Sequence, residues 1–181
     1  MNYHLRVATL ADEAAIRDLI GRSIRELGAG DYTPEQIEAA LLGAFGVDTA
    51  LIRDRSYFVI VTDTGDIVGC GGWSQRRTLF GGDTGAARDD ARLDPATEPA
   101  KIRAFFIDPQ HARKGLGRRI LERSEAEALR AGFSAVELMA TLPGKRLYET
   151  CGYEGTSIVD YPLPGGLHIT FVPMRKNLMR P

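Results

Sequence analysis

The sequence has few of the residues that build metal centres or disulfide frameworks. Its 181 residues include two cysteines, Cys70 and Cys151, and three histidines. The cysteines lie far apart and have no neighbours at metal-ligand spacing, so neither a disulfide framework nor a zinc site is predicted. We expect no bound metal, and the sparing use of cysteine fits a reducing cytoplasm.

A strong charge of one sign and long apolar runs are also lacking. The formal net charge is -1, and a content of 44% hydrophobic and 26% charged residues is typical of a globular protein. A near-neutral chain is not expected to be a general binder of nucleic acid or membrane surfaces. No apolar run approaches the roughly 20 residues of a membrane span, and the amino terminus has no basic segment followed by an apolar one.

The length fits one domain spanning residues 1–181, large enough to bury a core without cross-links. Alternating or β-branched apolar residues predict strands over residues 3–8, 57–62, 67–74, 102–107, 135–140, 153–160 and 167–172. Apolar residues at helical spacing, with capping signals at Thr9 and Thr33, predict helices over residues 10–27, 34–44, 116–131 and 143–151. Residues 75–100 follow no period and are predicted to form a long loop.

The start of the helix at residue 116 has the features of a phosphate-binding site. Two glycines spaced by one residue, Gly115 and Gly117, let the backbone pass close to a bulky anion. The helix that begins there directs free N–H groups and the positive end of its dipole outward. Positive charge is added by Arg113, Lys114, Arg118 and Arg119.

Two common nucleotide-binding motifs do not match this segment or the rest of the chain. The dinucleotide fingerprint needs a third glycine where this chain has Ile120. The phosphate loop of nucleoside triphosphatases needs Gly-Lys followed by Ser or Thr, but Gly144-Lys145 is followed by Arg146. Both classes of binding protein are therefore excluded.

Residues 112–117 resemble the acyl-coenzyme A motif of the GCN5-related N-acetyltransferase (GNAT) superfamily, Arg/Gln-x-x-Gly-x-Gly/Ala, with Ala112 in place of the first Arg or Gln. A second stretch, residues 141–153, is similar to the family pattern Asn-x-x-Ala-x-x-Leu-Tyr-Glu-x-x-Gly-Phe. Thr141 stands in place of the asparagine and Gly144 in place of the alanine. The matching residues are Leu147, Tyr148, Glu149 and Gly152, with a conservative Tyr153.

The resemblance implies an α/β fold with a mixed, mainly antiparallel sheet of about seven strands, splayed between strands 4 and 5 and flanked by about four helices. It implies acetyl-CoA as co-substrate, with the strand backbone beside the pantetheine arm and the helix start on the pyrophosphate. The residues it assigns to the coenzyme are Phe105, Phe106, Ile107, Arg113, Lys114, Gly115, Leu116, Gly117, Arg118, Thr141 and Tyr148.

The implied activity is transfer of an acetyl group to a primary amine by direct attack in a ternary complex, because no cysteine or serine stands in a nucleophile arrangement. A backbone N–H near Ile107 would polarise the thioester carbonyl. Tyr148 is the candidate general acid, since a phenol with a pKa of about 10 can donate to a departing thiolate. A homodimer is a further expectation.

Other interpretations stay open at this point. The chain could be a non-catalytic acyl-coenzyme A-binding or regulatory module, or a nucleic-acid binder that uses residues 113–123. The amine acceptor is undetermined among small amines, amino acids, polyamines, antibiotics and peptide termini. Four candidates for a general base are not ranked: Glu26, Asp83, His111 and Glu137.

Overall fold

The computed structural model describes residues 2–85 and 88–178. A mixed sheet has the strand order β1-β2-β3-β4-β5-β7-β6. Its strands are β1 (Tyr3–Val7), β2 (Tyr57–Thr62), β3 (Ile67–Ser74), β4 (Ala100–Ile107), β5 (Ala135–Thr141), β6 (Val159–Pro162) and β7 (His168–Asn177). All neighbouring strands are antiparallel except β4 and β5. The predicted mixed, mainly antiparallel sheet of seven strands is confirmed.

The sheet opens between β4 and β5. These strands pair only at their amino ends, through Ala100 with Val136 and Lys101 with Glu137. The Lys101 ammonium and the Glu137 carboxylate form an ion pair across this short contact. In contrast, β4 stays paired with β3 as far as Ile107. The expected splay between the fourth and fifth strands is confirmed, and it faces the carboxyl ends of both strands.

The described residues contain five α-helices, one more than the predicted number. They are α1 (Glu13–Leu27), α2 (Pro34–Ala40), α3 (Thr49–Arg53), α4 (Leu116–Arg130) and α5 (Lys145–Thr150). The short α3 was not predicted, and its N-cap is Asp48, which accepts a hydrogen bond from Ala50 N at 3.0 Å. Among the described residues, none of the helices combines the length and the apolar character that crossing a membrane requires.

Three predicted boundaries are wrong by at least four residues. The last strand, predicted to end at residue 172, continues to Asn177. The helix predicted to reach residue 44 ends at Ala40, and the chain turns so that Phe45 is buried. The strand predicted over 153–160 begins only at Val159, and residues 153–158 contribute a single bridge between Glu154 and Arg175. The apolar pattern is misleading there, because Ile158 is 67% exposed.

The helices cover the two faces of the sheet and bury a core on each. One core lies under α1, α2 and α3, and the other lies under α4 and α5. Small residues in β3 let its neighbours approach: a Cβ at Gly71 would lie 2.6 Å from the Phe105 ring. The glycines of β3 therefore make room for a side chain of β4.

The described residues of the predicted 75–100 loop form no helix or strand before β4, apart from a bridge between Arg76 and Arg92. Residues 86 and 87 of this loop lie outside the described residues. Ion pairs attach the loop to the rest of the chain, including Arg76 Nε to Asp54 Oδ2 at 2.6 Å. The loop therefore packs on the sheet beside the splay.

Candidate active site

The helix α4 begins at the mouth of the splay. A Cβ on Gly117 would meet Ile107 of β4 at 3.9 Å and Leu147 of α5 at 2.8 Å. Gly117 therefore allows close packing between these elements, whereas Gly115 has no atom within 4 Å of its Cβ position and adopts φ +77°. The two glycines therefore have different roles. Gly115 permits a left-handed N-cap, and Gly117 permits a close contact with β4 and α5.

The first turn of α4 has unpaired backbone donors. Arg119 N makes the first helical hydrogen bond, to Gly115 O at 3.1 Å. Within the described residues, no group accepts a hydrogen bond from the backbone N–H groups of residues 115–118. Four N–H groups and the positive end of a 15-residue helix thus form an anion cradle, which we define as residues 113–118.

The basic side chains of the anion cradle are exposed and not neutralised. Lys114 donates to Gln110 O at 3.3 Å, and Arg118 donates to Thr150 O at 3.4 Å. Among the described residues, no carboxylate forms an ion pair with Arg113, Lys114 or Arg118. Their charge is available to an incoming phosphate.

A β-bulge shapes β4 beside the splay. Ala104 and Phe105 lie opposite the single residue Gly71, and Ala104 has φ +56°. Tyr57 is fully buried, and its hydroxyl donates a hydrogen bond to Ala104 O at 3.1 Å, which stabilises the bulge. Because β5 diverges after Lys101, the backbone of β4 facing the splay has no strand partner there.

A small cavity, with about 60 Å³ accessible to the centre of a water molecule, lies in the splay. It connects the two faces of the sheet. The α4–α5 side is lined by Phe105, Thr141 and Tyr148, and the α2–α3 side by Phe45, Phe80 and Phe171. The cavity brings together four residues predicted from the sequence: Phe105, Phe106, Thr141 and Tyr148. Ile107, the last residue of β4, does not line the cavity and lies close to Gly117 in the first turn of α4.

Tyr148 lies in α5 with its ring against the cavity. It is 8% exposed, and its ring packs edge-on to Phe105 with centroids 6.2 Å apart. Burial raises the pKa of the Tyr148 hydroxyl above its usual value of about 10, so the phenol keeps its proton at neutral pH. No described group hydrogen-bonds to this hydroxyl, which leaves it free to donate to a substrate atom.

Thr141 ends β5 and helps to begin α5. Its hydroxyl oxygen accepts a hydrogen bond from Gly144 N at 3.2 Å. A Cβ at Gly144 would lie 2.9 Å from that oxygen, so the glycine leaves room for the contact. The two departures from the family pattern, at positions 141 and 144, are therefore coupled in space.

None of the four candidate bases is among the described residues that line the cavity. Glu137 pairs with Lys101, and Asp83 accepts from Thr49 N at 3.0 Å. The His111 ring is 3.0 Å from the Tyr3 hydroxyl, and Glu26 is exposed on α1.

Among the described residues, no cluster of His, Cys, Asp or Glu has the geometry of a metal site. Burial raises the pKa of the Cys70 thiol to about 12, which argues against a cysteine nucleophile there.

Sequence reasoning missed a buried ion pair beneath the cavity. Arg103 of β4 and Asp48 are 3% and 1% exposed, with Nη2 and Oδ2 2.8 Å apart. Arg103 also donates to Thr78 O at 3.1 Å and to Gly81 O at 2.6 Å. Arg88 approaches Asp48 at 3.3 Å. The detectable signal was an arginine inside an apolar strand, which requires a buried acceptor.

A sheet splayed between two parallel strands, a bulged strand at the opening and an anion cradle at the following helix define a fold of the GCN5-related acetyltransferase type. The chain belongs to the acetyltransferase (GNAT) family, whose model matches residues 22–153. The resemblance drawn from residues 112–117 and 141–153 is confirmed.

Related proteins agree with this assignment. The chain is 27% identical to the IAA acetyltransferase of Azospirillum brasilense over 159 residues, which covers 87% of this chain and 82% of that protein. A GCN5-related N-acetyltransferase structure from Rhodopseudomonas palustris has a TM-score of 0.71 at 18% identity, covering 98% and 97% of the two chains.

Two further solved structures share the fold. The yncA protein of Salmonella typhimurium, solved with its cofactor acetyl-CoA, has a TM-score of 0.64 at 20% identity and covers 100% and 96% of the chains. The paia N-acetyltransferase of Thermoplasma acidophilum, in complex with coenzyme A, has a TM-score of 0.64 at 13% identity and covers 98% and 99%.

Proposed function

We propose that this protein is an acetyl-CoA-dependent N-acetyltransferase that acts on a primary amine by direct attack in a ternary complex. The observation that carries the proposal is the cavity in the splay, which joins the Tyr148 side of the sheet to the Phe45 side. Two substrates entering from opposite faces would meet within it. The family membership and the coenzyme-containing structures of similar fold support the choice of donor.

The proposed coenzyme site uses the face covered by α4 and α5. The pyrophosphate would lie on the anion cradle, where the N–H groups of Gly115, Leu116, Gly117 and Arg118 have no acceptor in the described chain and Arg113 and Lys114 add charge. The pantetheine arm would run along Phe105, Phe106 and Ile107, whose backbone faces the splay. Its thioester would then reach Thr141 and Tyr148.

In the proposed reaction, the amine nitrogen attacks the thioester carbon, a C–N bond forms and the C–S bond breaks. A backbone N–H of β4 near Ile107 stabilises the developing oxyanion, a role worth roughly 3–4 kcal/mol in other acyl transfers. The raised pKa of Tyr148 keeps its proton on the phenol, so the side chain stabilises the departing sulfur mainly by donating a hydrogen bond.

The experiment is a comparison of acetyl-CoA turnover by the wild-type protein and Tyr148→Phe, followed as free thiol with a panel of amines. We expect kcat to fall about tenfold, less than the roughly 100- to 10,000-fold typical of a general acid, because the phenol donates a hydrogen bond more than a proton. Tyr153→Phe is the matched control, since its hydroxyl bonds to Glu125 at 2.9 Å and does not line the cavity. Unchanged kcat in Tyr148→Phe would remove this role.

One observation favours a second candidate function. Among the described residues that line the cavity, none is a carboxylate or an imidazole that could serve as a general base. A non-catalytic acyl-coenzyme A-binding module would need no base. Thermal stabilisation by acetyl-CoA without thiol release for any amine would favour that module, whereas absence of stabilisation would contradict both functions.

A further inference from the structure

The half of the cavity opposite Tyr148 is an aromatic slot, which we define by Phe45, Phe80, Phe106 and Phe171. Phe45 packs edge-on against Phe106 and Phe171, with centroids 5.9 and 6.1 Å apart. Phe80 lies 5.2 Å from Phe171. Phe80 is only partly buried and the other three rings are buried, so Phe80 forms the outer wall of the slot.

Backbone contacts between two loops hold the walls of the slot. Gly82 N donates to Gly43 O at 3.2 Å, and Asp83 N donates to Val47 O at 2.9 Å. A Cβ at Gly82 would lie 2.8 Å from the backbone of Gly46, so the loops touch directly. The chain by itself therefore holds the walls of the slot in place, which lowers the ordering cost of binding a rigid occupant.

The slot offers no negative charge to an occupant. Arg103 is the charged member of the cavity lining among the described residues, and Asp48 pairs with it at 2.8 Å and with Arg88 at 3.3 Å, so the pair leaves no net negative charge. An ammonium group that entered would lose its hydration without gaining a counter-charge. A polyamine or another polycation does not fit this surface.

The same surface offers no base to remove a proton from the amine. An alkylamine with a pKa of about 10.4, as in lysine, is almost entirely protonated at neutral pH. An aromatic amine shares its lone pair with the ring and is neutral at that pH. We infer that the acceptor is a flat aromatic primary amine without a second positive charge, an inference that rests on the proposed acetyl transfer.

The reaction balances for this acceptor without a further base. The nitrogen lone pair forms the C–N bond, and the C–S electron pair leaves with sulfur. The nitrogen loses one proton to solvent once it is acylated, and the thiolate takes up one from solvent, while the Tyr148 hydroxyl keeps its own proton and stabilises the departing sulfur by donating a hydrogen bond. The products are an aromatic N-acetylamide and free coenzyme A thiol.

The test compares kcat/KM for p-toluidine, phenethylamine, hexylamine and spermidine, followed as free thiol. We expect p-toluidine to exceed spermidine at least about 100-fold, with the two monoamines between them. Between about pH 7 and pH 9, the p-toluidine rate should stay flat while the hexylamine rate rises about tenfold per pH unit. Spermidine or hexylamine turned over as fast as p-toluidine would overturn the inference and leave the acetyltransferase proposal standing.

Variants of the lining test the same point through selectivity. Leu79→Glu places a carboxylate on the cavity wall and should raise the ratio of spermidine to p-toluidine kcat/KM about tenfold. Leu79→Gln has the same size without the charge and should leave the ratio unchanged. An equal effect of both substitutions would contradict the charge argument.

A binding measurement separates this inference from the proposed reaction. Saturation-transfer NMR with p-toluidine and coenzyme A should show binding to the wild-type protein and about tenfold weaker binding to Phe80→Ala, with coenzyme affinity unchanged. Binding without thiol release from any amine would reject the acetyl transfer but keep the aromatic slot. Absence of both p-toluidine binding and turnover would overturn the slot as the acceptor site.

Discussion

The anion cradle and the aromatic slot lie on opposite sides of β4 and are built in different ways. The cradle comes from six consecutive residues, 113–118, and its donors are backbone N–H groups at one helix start. The slot gathers side chains from four distant segments, represented by Phe45, Phe80, Phe106 and Phe171. A site built from backbone N–H groups can be local, whereas a site built from distant side chains depends on packing.

The comparison also concerns charge. The cradle has exposed, unneutralised cations, while the slot lies above a buried cation that Asp48 neutralises. The cradle and the slot therefore offer different kinds of interaction to a ligand. In the proposed function, phosphate binding would rely on charge and hydrogen bonds, and acceptor binding would rely on burial of apolar surface.

The largest effect is expected on stability from Asp48→Ala, which would remove the buried ion pair beside the aromatic slot. It leaves the Arg103 guanidinium buried without its carboxylate and also removes the N-cap of α3. We expect a loss of about 3–5 kcal/mol in the free energy of unfolding, measured by urea denaturation. The control is Arg17→Ala, which removes the exposed pair with Glu13 and should cost no more than about 1 kcal/mol. Similar losses in both variants would show that the buried pair has no special weight.

The next largest effect is expected from Gly115→Asp, which should weaken binding at the anion cradle and leave the aromatic slot unchanged. The new side chain has open space but brings a carboxylate to the anion cradle. We expect acetyl-CoA affinity to fall about 100-fold through like-charge repulsion, measured by calorimetry. Binding of the aromatic amine should change little.

Gly65→Asp is the control for this substitution. Gly65 also has a positive φ, +89°, and open space around its Cβ position, but it lies in the β2–β3 turn. Both variants pay a similar conformational cost, and only Gly115→Asp should lose coenzyme affinity. Retained affinity in Gly115→Asp would show that the phosphates lie elsewhere.

The smallest effect is expected on the pH dependence of kcat, because the Tyr148 hydroxyl should not ionise in the accessible pH range. Burial raises the pKa of Tyr148, so its hydroxyl stays protonated as the pH rises through the ordinary phenol value of about 10. With an aromatic amine, kcat should show no decline attributable to this group up to about pH 10 in a pH-rate profile. A descending limb below that pH in the wild-type protein but not in Tyr148→Phe would contradict the raised pKa.

Much of the fold could be predicted because its signals are local. Thr33 and Gln36 form the expected capping box at the start of α2, with Gln36 N donating to Thr33 Oγ1 at 3.2 Å. A β-branched and aromatic run over residues 57–62, turn residues over 63–66 and a second apolar run over 67–74 located the hairpin of β2 and β3. The start of β6 and the helix α3 were not predicted, because a five-residue helix and an exposed Ile158 have no periodic pattern to read.

The sequence by itself determined the anion cradle, since two glycines spaced by one residue and neighbouring cations at a helix start need only local backbone geometry. It also placed Tyr148 in a recognisable pattern. Only the tertiary structure decided the aromatic slot: the pairing of Arg103 with Asp48, 55 residues apart in the sequence, and the contact of Phe45 and Phe80 with Phe171. These contacts follow from strand order and loop packing, which bring together residues whose local sequence carries no sign of one another.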